Sequence, residues 1–229
     1  AIGVNVPTGK DSLSLTQQYP NGDKIISPGT VIVTSGGEVS DVRQVVSPVV
    51  VNDKNTRLYH IDFSFDEQRL GGSAFAQIGS DVPTVKEPQY FCDCFDAVQE
   101  MIRRGWILAG HDISAGGLIT TLLEMTFANV EGGLHINLHD IKGDDVIKKL
   151  FAENPGVVIQ VADEHKEEVK EFLQENCIGN GNVSVIVDIA HDDRIGYIYK
   201  GNPIFCCVGF CCASTRGTRL LTCSTASRV

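Results

Sequence analysis

The sequence predicts an α/β (α+β) fold in which a mixed sheet is covered by helices. Three observations carry that prediction. Short β-branched or apolar runs alternate with helical stretches. Residues 88–104 place apolar side chains at three- and four-residue spacing. Residues 156–161 (GVVIQV) are apolar almost without a break, as in a strand buried on both faces. The chain has 229 residues, 42% hydrophobic and 21% charged, which suits one sizeable packed domain, or one domain plus part of another, rather than a disordered chain.

Taken in order, residues 1–29 are rich in Gly, Pro, Ser, Asn and Asp and read as loop. Residues 30–35 (TVIVTS) read as a strand, 45–51 as a second interrupted by Pro48, and 58–63 (LYHIDF) as a third. Gly71, Gly72 and Ser73 then form a glycine loop expected to open a helix over AFAQI. In the helix at 88–104, Phe91, Cys94, Phe95, Val98, Met101 and Ile102 form the apolar stripe. Pro88 stands in its first turn, and Gly105 can adopt the left-handed stop. Residues 106–109 form a short strand, 110–117 (GHDISAGG) a polar turn and 118–127 a buried helix. Residues 134–138 follow as a strand. Residues 144–151 form a short helix with Val146, Ile147, Leu150 and Phe151 inward. After the strand at 156–161, Asp163 is expected to cap a helix running to about residue 176, with Val169, Phe172 and Leu173 inside. Residues 183–187 and 196–199 close the body as strands.

Nineteen basic against 29 acidic residues give a net charge of −10, which disfavours a general nucleic-acid-binding surface. No run of about 18 apolar residues occurs, so no membrane span is expected. The opening AIGVNVPTGK has the character of a segment internal to a longer chain, with no secretory signal. Of the eight cysteines, Cys206, Cys207, Cys211, Cys212 and Cys223 crowd into the last 24 residues, beside three arginines and no acid. That spacing lacks the long gap between ligand pairs of a structural zinc site. Residues 204–229 are therefore expected to be an atypical tail, foreign to the domain. The sparse cysteines of the body suit a reducing, cytosolic compartment.

The segment with most chemistry is His111-Asp112-Ile113-Ser114-Ala115-Gly116-Gly117, between an apolar strand and a buried helix. Amides at a helix start are unpaired and carry partial positive charge, which suits phosphate. Glycine lets a ligand approach the backbone. Asp112 beside a phosphate is a natural Mg²⁺ ligand, because Mg²⁺ takes carboxylate, phosphate and water oxygens. Capping by Asp112 and Ser114, with Gly116 and Gly117 permitting a tight turn, fits the same composition, and spacing leaves both roles open. Gly71, Gly72 and Ser73 form a second candidate phosphate loop, against the alternative of close packing on a strand. Gly9-Lys10-Asp11-Ser12 lacks the preceding glycine of a P-loop. The six histidines form no zinc-type pair at helical spacing.

Several blocks, VPTGKDSLS, SPGTVIVTSGGEVSDVRQVVSP, RLGGSAFAQ, FDAVQEMI, GHDISAGGLITTLLEMTFA and LFAENPGVVIQV, occur in that order. Together they resemble the second half of the large-type phosphoribosylformylglycinamidine synthases, over about residues 1–200. The resemblance implies a C-terminal domain like that of aminoimidazole ribonucleotide synthetase over residues 46–203. Residues 1–45 would be the end of the preceding sheet domain, and 204–229 the tail. It implies an ATP- and glutamine-dependent carbon–nitrogen ligase of purine biosynthesis, with this chain supplying a nucleotide- and Mg²⁺-binding scaffold that is inactive alone. The family's aspartate and serine that meet Mg²⁺ and nucleotide (ATP or ADP) fall on Asp112 and Ser114. The family often has aspartate where this chain has Ala115. Implied partners are the nucleotide, the ribonucleotide substrate and the remaining halves of such an enzyme with its glutaminase domain. No nucleic acid or membrane is implied, and self-association through exposed edges is expected. Two other readings stand beside it: a separate ATP-dependent synthetase or kinase of the same superfamily, and a purely structural half.

Overall fold

A computed structural model describes residues 3–10, 16–26, 32–129, 133–176, 178, 183–190, 195–199 and 202–206. Nine strands and four helices are formed by these residues. A two-stranded hairpin pairs β1 (Thr16–Gln18) with β2 (Lys24–Ile26). Seven strands make the main sheet: β3 (Thr56–Asp62), β4 (Ile107–Asp112), β5 (Gly133–Asn137), β6 (Gly156–Ala162), β7 (Val183–Ala190), β8 (Ile195–Tyr199) and β9 (Asn202–Cys206). Their order is β4-β6-β3-β7-β5-β8-β9. Every neighbouring pair is antiparallel except β5 with β8, so the sheet is mixed as the sequence predicts.

Helices cover both faces of the sheet. Against one face lie α1 (Pro88–Arg103) and α4 (Lys166–Glu175), packing Cys94, Ala97, Val98, Met101, Val169 and Leu173 onto Tyr59, Ile61, Ile159 and Val161. Against the other lie α2 (Gly117–Thr126) and α3 (Val146–Phe151), packing Leu118, Leu122, Met125 and Leu150 onto Leu58, Ala109, Leu134, Ile136 and Val158. Alternate residues of β3 and β6 therefore serve opposite cores, and the polar residues Thr56, His60, Asp62 and Gln160 are buried along with the apolar ones. His60 is one of three buried polar residues on β3, with Thr56 and Asp62. It is 7% exposed, and burial pushes its imidazole down to about 4.

Helix α1 begins and ends where its sequence signals stand. Pro88 occupies the first turn, and Gly105 takes φ +73° after Arg104, whose N–H bonds the Glu100 carbonyl. The Arg104 guanidinium then lies over the rings of Trp106 and Phe172, 4.8 and 4.5 Å from their centroids.

Several expectations are corrected. Residues 1–29 contain the hairpin rather than loop alone. Its turn is built by Asn21 and Gly22: Gly22 has φ +91°, and Tyr19 donates to the Asp23 carbonyl. No strand forms at 32–35 or 45–51; residues 30 and 31 lie outside the described residues. Ile32 and Val33 are more than four-fifths exposed, and β-branched residues without a partner strand among the described residues gain nothing from extension. Around Pro48, which has no N–H to give, the chain makes isolated bonds instead of a ladder: Gly110 donates to the Ser47 carbonyl and Val50 to that of Met125. Residues 71–78 form a compact turn, not a helix. Asp163 does not cap α4. It accepts the Arg57 Nε at 2.7 Å and opens a 3₁₀ turn, Asp163–His165. Phe95 and Ile147 face solvent, while Lys149 is buried and donates to the Leu138 carbonyl. Strand β9 crosses the boundary expected after residue 203; the cysteines from Cys207 onward lie outside the described residues.

Gln160 on β6 ties the irregular segment before β3 to the sheet. Fully buried, it accepts the Val51 N–H at 2.8 Å and donates to the Val51 carbonyl at 2.8 Å and the Thr56 hydroxyl at 2.7 Å. Gln160→Leu strands these partners and lowers stability by about 2 kcal/mol, read as a lower urea midpoint at unchanged denaturant slope.

Candidate functional site

The site lies at the end of the sheet where β3 and β4 finish and β6 begins. Asp62 pairs with Gly156 and Asp112 with Val157, and the Ile113 N–H extends the ladder to the Gly156 carbonyl. Three connections therefore gather there: residues 63–87 after β3, the 113–116 turn after β4, and residues 152–155 before β6.

Asp112 ends β4 with its side chain 74% exposed. Its carbonyl accepts the Thr121 hydroxyl from α2 at 3.1 Å, so backbone and helix fix its place while the carboxylate points to solvent. His111 flanks it. Its Nδ1 lies 2.7 Å from the Asp112 carbonyl and its Nε2 3.4 Å from the Glu124 carboxylate. Ser114 and Ala115 are exposed, and the Ser114 hydroxyl has no hydrogen-bond partner among the described residues. The Ser114 carbonyl accepts the Gly117 N–H at 3.0 Å, closing the turn.

The two glycines there are required by sterics. Gly116, the cap of α2, has φ +94°, and a Cβ on it would collide with the Thr120 side chain. Gly117 has φ +72°, and its Cβ would fall 2.7–2.8 Å from the backbone of residues 150–152. Gly117 is thus turned inward against the end of α3.

The loop at 71–76 is similarly self-contained. Gly71 donates to the Asp81 carbonyl at 2.9 Å, with no room for a Cβ beside Ser80 and Asp81. Ser73 is 1% exposed; its hydroxyl donates to the Leu70 carbonyl and accepts the Ala76 N–H at 3.1 Å. Gly72 alone of the three faces outward.

Two features at this end were not singled out in the sequence. Glu153 joins the glycine segments: its Oε1 accepts the N–H of Ala74 and that of Gly116, each at 2.7 Å. Asp66, with a side chain 1% exposed, accepts Lys86 Nζ at 2.7 Å, Arg69 Nε at 3.1 Å, the Glu67 N–H at 2.7 Å and the Thr84 N–H at 3.2 Å. Burial alone would push its carboxyl up, but these donors hold it well below the usual carboxylate range. Asn154 completes the network, donating to the Ser64 hydroxyl and the Glu67 carbonyl. Burial pushes the Asp62 carboxyl up, against two bonds from Ser64. The signal for both was the placement of polar residues, Asp66 and Glu153-Asn154, directly beside buried strands.

Among the described residues no group of three His, Cys, Asp or Glu side chains converges on a point. Mg²⁺ is satisfied by one carboxylate when phosphate oxygens and water supply the rest. Asp112, single and exposed, suits an ion carried on a nucleotide rather than one caged by protein. Beside it, a mostly apolar cleft of about 370 Å³ opens between β4 and α1, lined by Val46, Val98, Ile102 and Gly110 among others.

A mixed sheet with two helices on each face, its loops converging at one end, defines a three-layer α/β domain. The chain belongs to the family of AIR synthase related proteins, matching their C-terminal domain over residues 63–199. It is 32% identical, over 201 residues and 83% of its length, to a probable phosphoribosylformylglycinamidine synthase, chloroplastic/mitochondrial, of Arabidopsis thaliana. The chain spans 14% of that relative's length. Among solved structures, Thermotoga maritima PurL complexed with ATP superposes with a TM-score of 0.54 at 14% identity, covering 71% of this chain and 26% of that one. PurLQS from the same organism gives 0.56 at 14% identity, with 71% and 26% covered. At such identity these two matches establish the fold.

A carboxylate depressed in the folded state stabilises the fold above its unfolded pKa of about 3.9 and loses that contribution as pH falls toward the folded value. Asp66→Asn therefore lowers stability by about 2 kcal/mol at neutral pH. Urea unfolding of both proteins across acid pH shows the difference shrinking below about pH 4.

Proposed function

We propose that this chain is part of a phosphoribosylformylglycinamidine synthase, and that its Asp112–Gly117 turn meets the phosphates of a nucleotide there. The similarity to the Arabidopsis protein over 83% of the chain supports the first statement. The second is carried by one observation: an exposed carboxylate at the end of β4 stands beside the outward Ser114 and the start of α2. The reaction so assigned consumes ATP and glutamine, activating an amide oxygen by phosphorylation so that ammonia displaces phosphate and leaves an amidine. It is a carbon–nitrogen ligation of purine biosynthesis.

In this reading Asp112 accepts Mg²⁺ that arrives with ATP or ADP, Ser114 donates to a phosphate oxygen, and the helix start offsets negative charge. The ion, when bound, would neutralise phosphate charge. Gly116 and Gly117 set the turn, and Gly72 is the outward member of the second loop. No residue of this chain is assigned a bond-making role. The ribonucleotide site and the glutaminase belong to other parts of the enzyme, which are its proposed partners. Placement in the cytosol belongs to the same proposal, although the Arabidopsis relative is named chloroplastic/mitochondrial. Among the described residues no helix is long and apolar enough to cross a membrane.

A scaffold reading, in which these loops bind nothing, is favoured by one specific observation: the amides of Gly116 and Ala74 are already satisfied by Glu153. Calorimetry separates the two. Mg-ADP is expected to give measurable heat with the chain and at least roughly tenfold weaker binding with Asp112→Ala, the worth of one charge-assisted contact. No heat from either protein leaves the scaffold, and equal binding removes Asp112 from the site. Incubated with ATP, glutamine or ammonia, and formylglycinamide ribonucleotide, the chain alone is expected to form no amidine product. Product above background contradicts the division of labour proposed above.

A further inference from the structure

We propose that Glu153 is a positioning residue, a carboxylate built into the fold that clamps the 71–76 turn to the entry of α2 and keeps anionic ligands off the amides it occupies. Its Oε1 accepts two N–H groups at 2.7 Å from residues 79 and 37 positions away in sequence. Both distances are those of charge-assisted hydrogen bonds. A pair of converging amides, one of them at a helix start, is the arrangement that holds an anion. Here the chain supplies that anion itself.

The carboxylate is held from both sides of the backbone. Before it, the Ala152 N–H bonds the Lys148 carbonyl at 3.0 Å and ends α3. After it, Asn154 is 3% exposed and bonded to Ser64, Glu67 and the Arg69 N–H. Residue 153 therefore cannot leave without disturbing the end of α3 or the Asn154 network. Among the described residues no hydrogen bond runs directly from the turn of Ala74 to the turn of Gly116, so the two Glu153 bonds are the hydrogen-bonded link between them. An approaching phosphate meets a fixed negative charge at Gly116 and Ala74 and is turned toward Ser114. The clamp itself rests on geometry alone; only that last direction rests on the nucleotide reading.

Amide NMR spectra of the full chain test it, with pyrophosphate as the probe. Glu153→Gln keeps an acceptor oxygen without the charge, and Glu153→Ala removes both. In the wild-type chain, millimolar pyrophosphate is expected to leave the Gly116 and Ala74 resonances in place. In the variants both resonances move together, with pyrophosphate bound roughly tenfold more tightly than by wild type. E153Q decides the matter if E153A does not fold. A purely structural role gives a lower melting temperature in E153A and no pyrophosphate response in either variant, which overturns the proposal. So does movement of the same two resonances in the wild type. Failure of Mg-ADP to bind the wild-type chain removes the nucleotide reading and leaves this result standing.

Discussion

Strand β6 runs between β4 and β3, and its two antiparallel registers fix the geometry on which the rest depends. One register sets Asp62 opposite Gly156; the other sets Asp112 opposite Val157. The ends of two strands and the start of a third thus share one edge of the sheet, and the connections between them must meet. Gly156 makes the approach possible, since a Cβ there would lie 2.6 Å from the Ile61 carbonyl. Both faces of β6 are buried, so a register slip of one residue would exchange the two cores. Burial on two sides pins the register, and the register places the candidate site.

The chemistry of that edge is a matter of which charge reaches which amide first. A helix start attracts anions of any origin. In a chain of net charge −10, the nearest anion is often a side chain. Glu153 takes the Gly116 and Ala74 amides, and Asp66 takes those of Glu67 and Thr84 along with two cationic side chains. What remains open to solvent in the turn is Asp112 with Ser114 and Ala115, and of these only Asp112 and Ser114 carry polar side chains. An exposed carboxylate repels free phosphate, so the nucleotide proposal requires a divalent cation between the two. That is the physical basis of the proposed role of Asp112.

Much of the architecture was legible in the sequence because it follows from local pattern. Helix α1 carries its proline, its apolar stripe and its stop glycine in sequence. Strand β6 shows its burial on both faces as an apolar run. The mistaken elements are those whose local pattern needed a partner to be realised. Residues 32–35 and 45–51 have strand composition, but extension is favoured only when a ladder satisfies the backbone. The glycines at 71 and 72 were read as a helix start, whereas Gly71 allows the Ser80–Asp81 backbone to approach closely. Asp163 has cap chemistry, yet a guanidinium from β3 gives its carboxylate a stronger partner.

The site divides the same way. Asp112, Ser114, Gly116 and Gly117 stand within six residues of one another, so a single turn of sequence was enough to nominate them. The sequence by itself determined the covered mixed sheet and that nomination, because periodicity and turn chemistry are local. Tertiary structure alone decided that Gly117 packs inward, that Ser73 is buried, and that Glu153 joins two loops far apart in the chain. Those outcomes depend on which surfaces meet when β6 pairs with β3 and β4, and long-range pairing leaves no periodic trace in the residues it brings together.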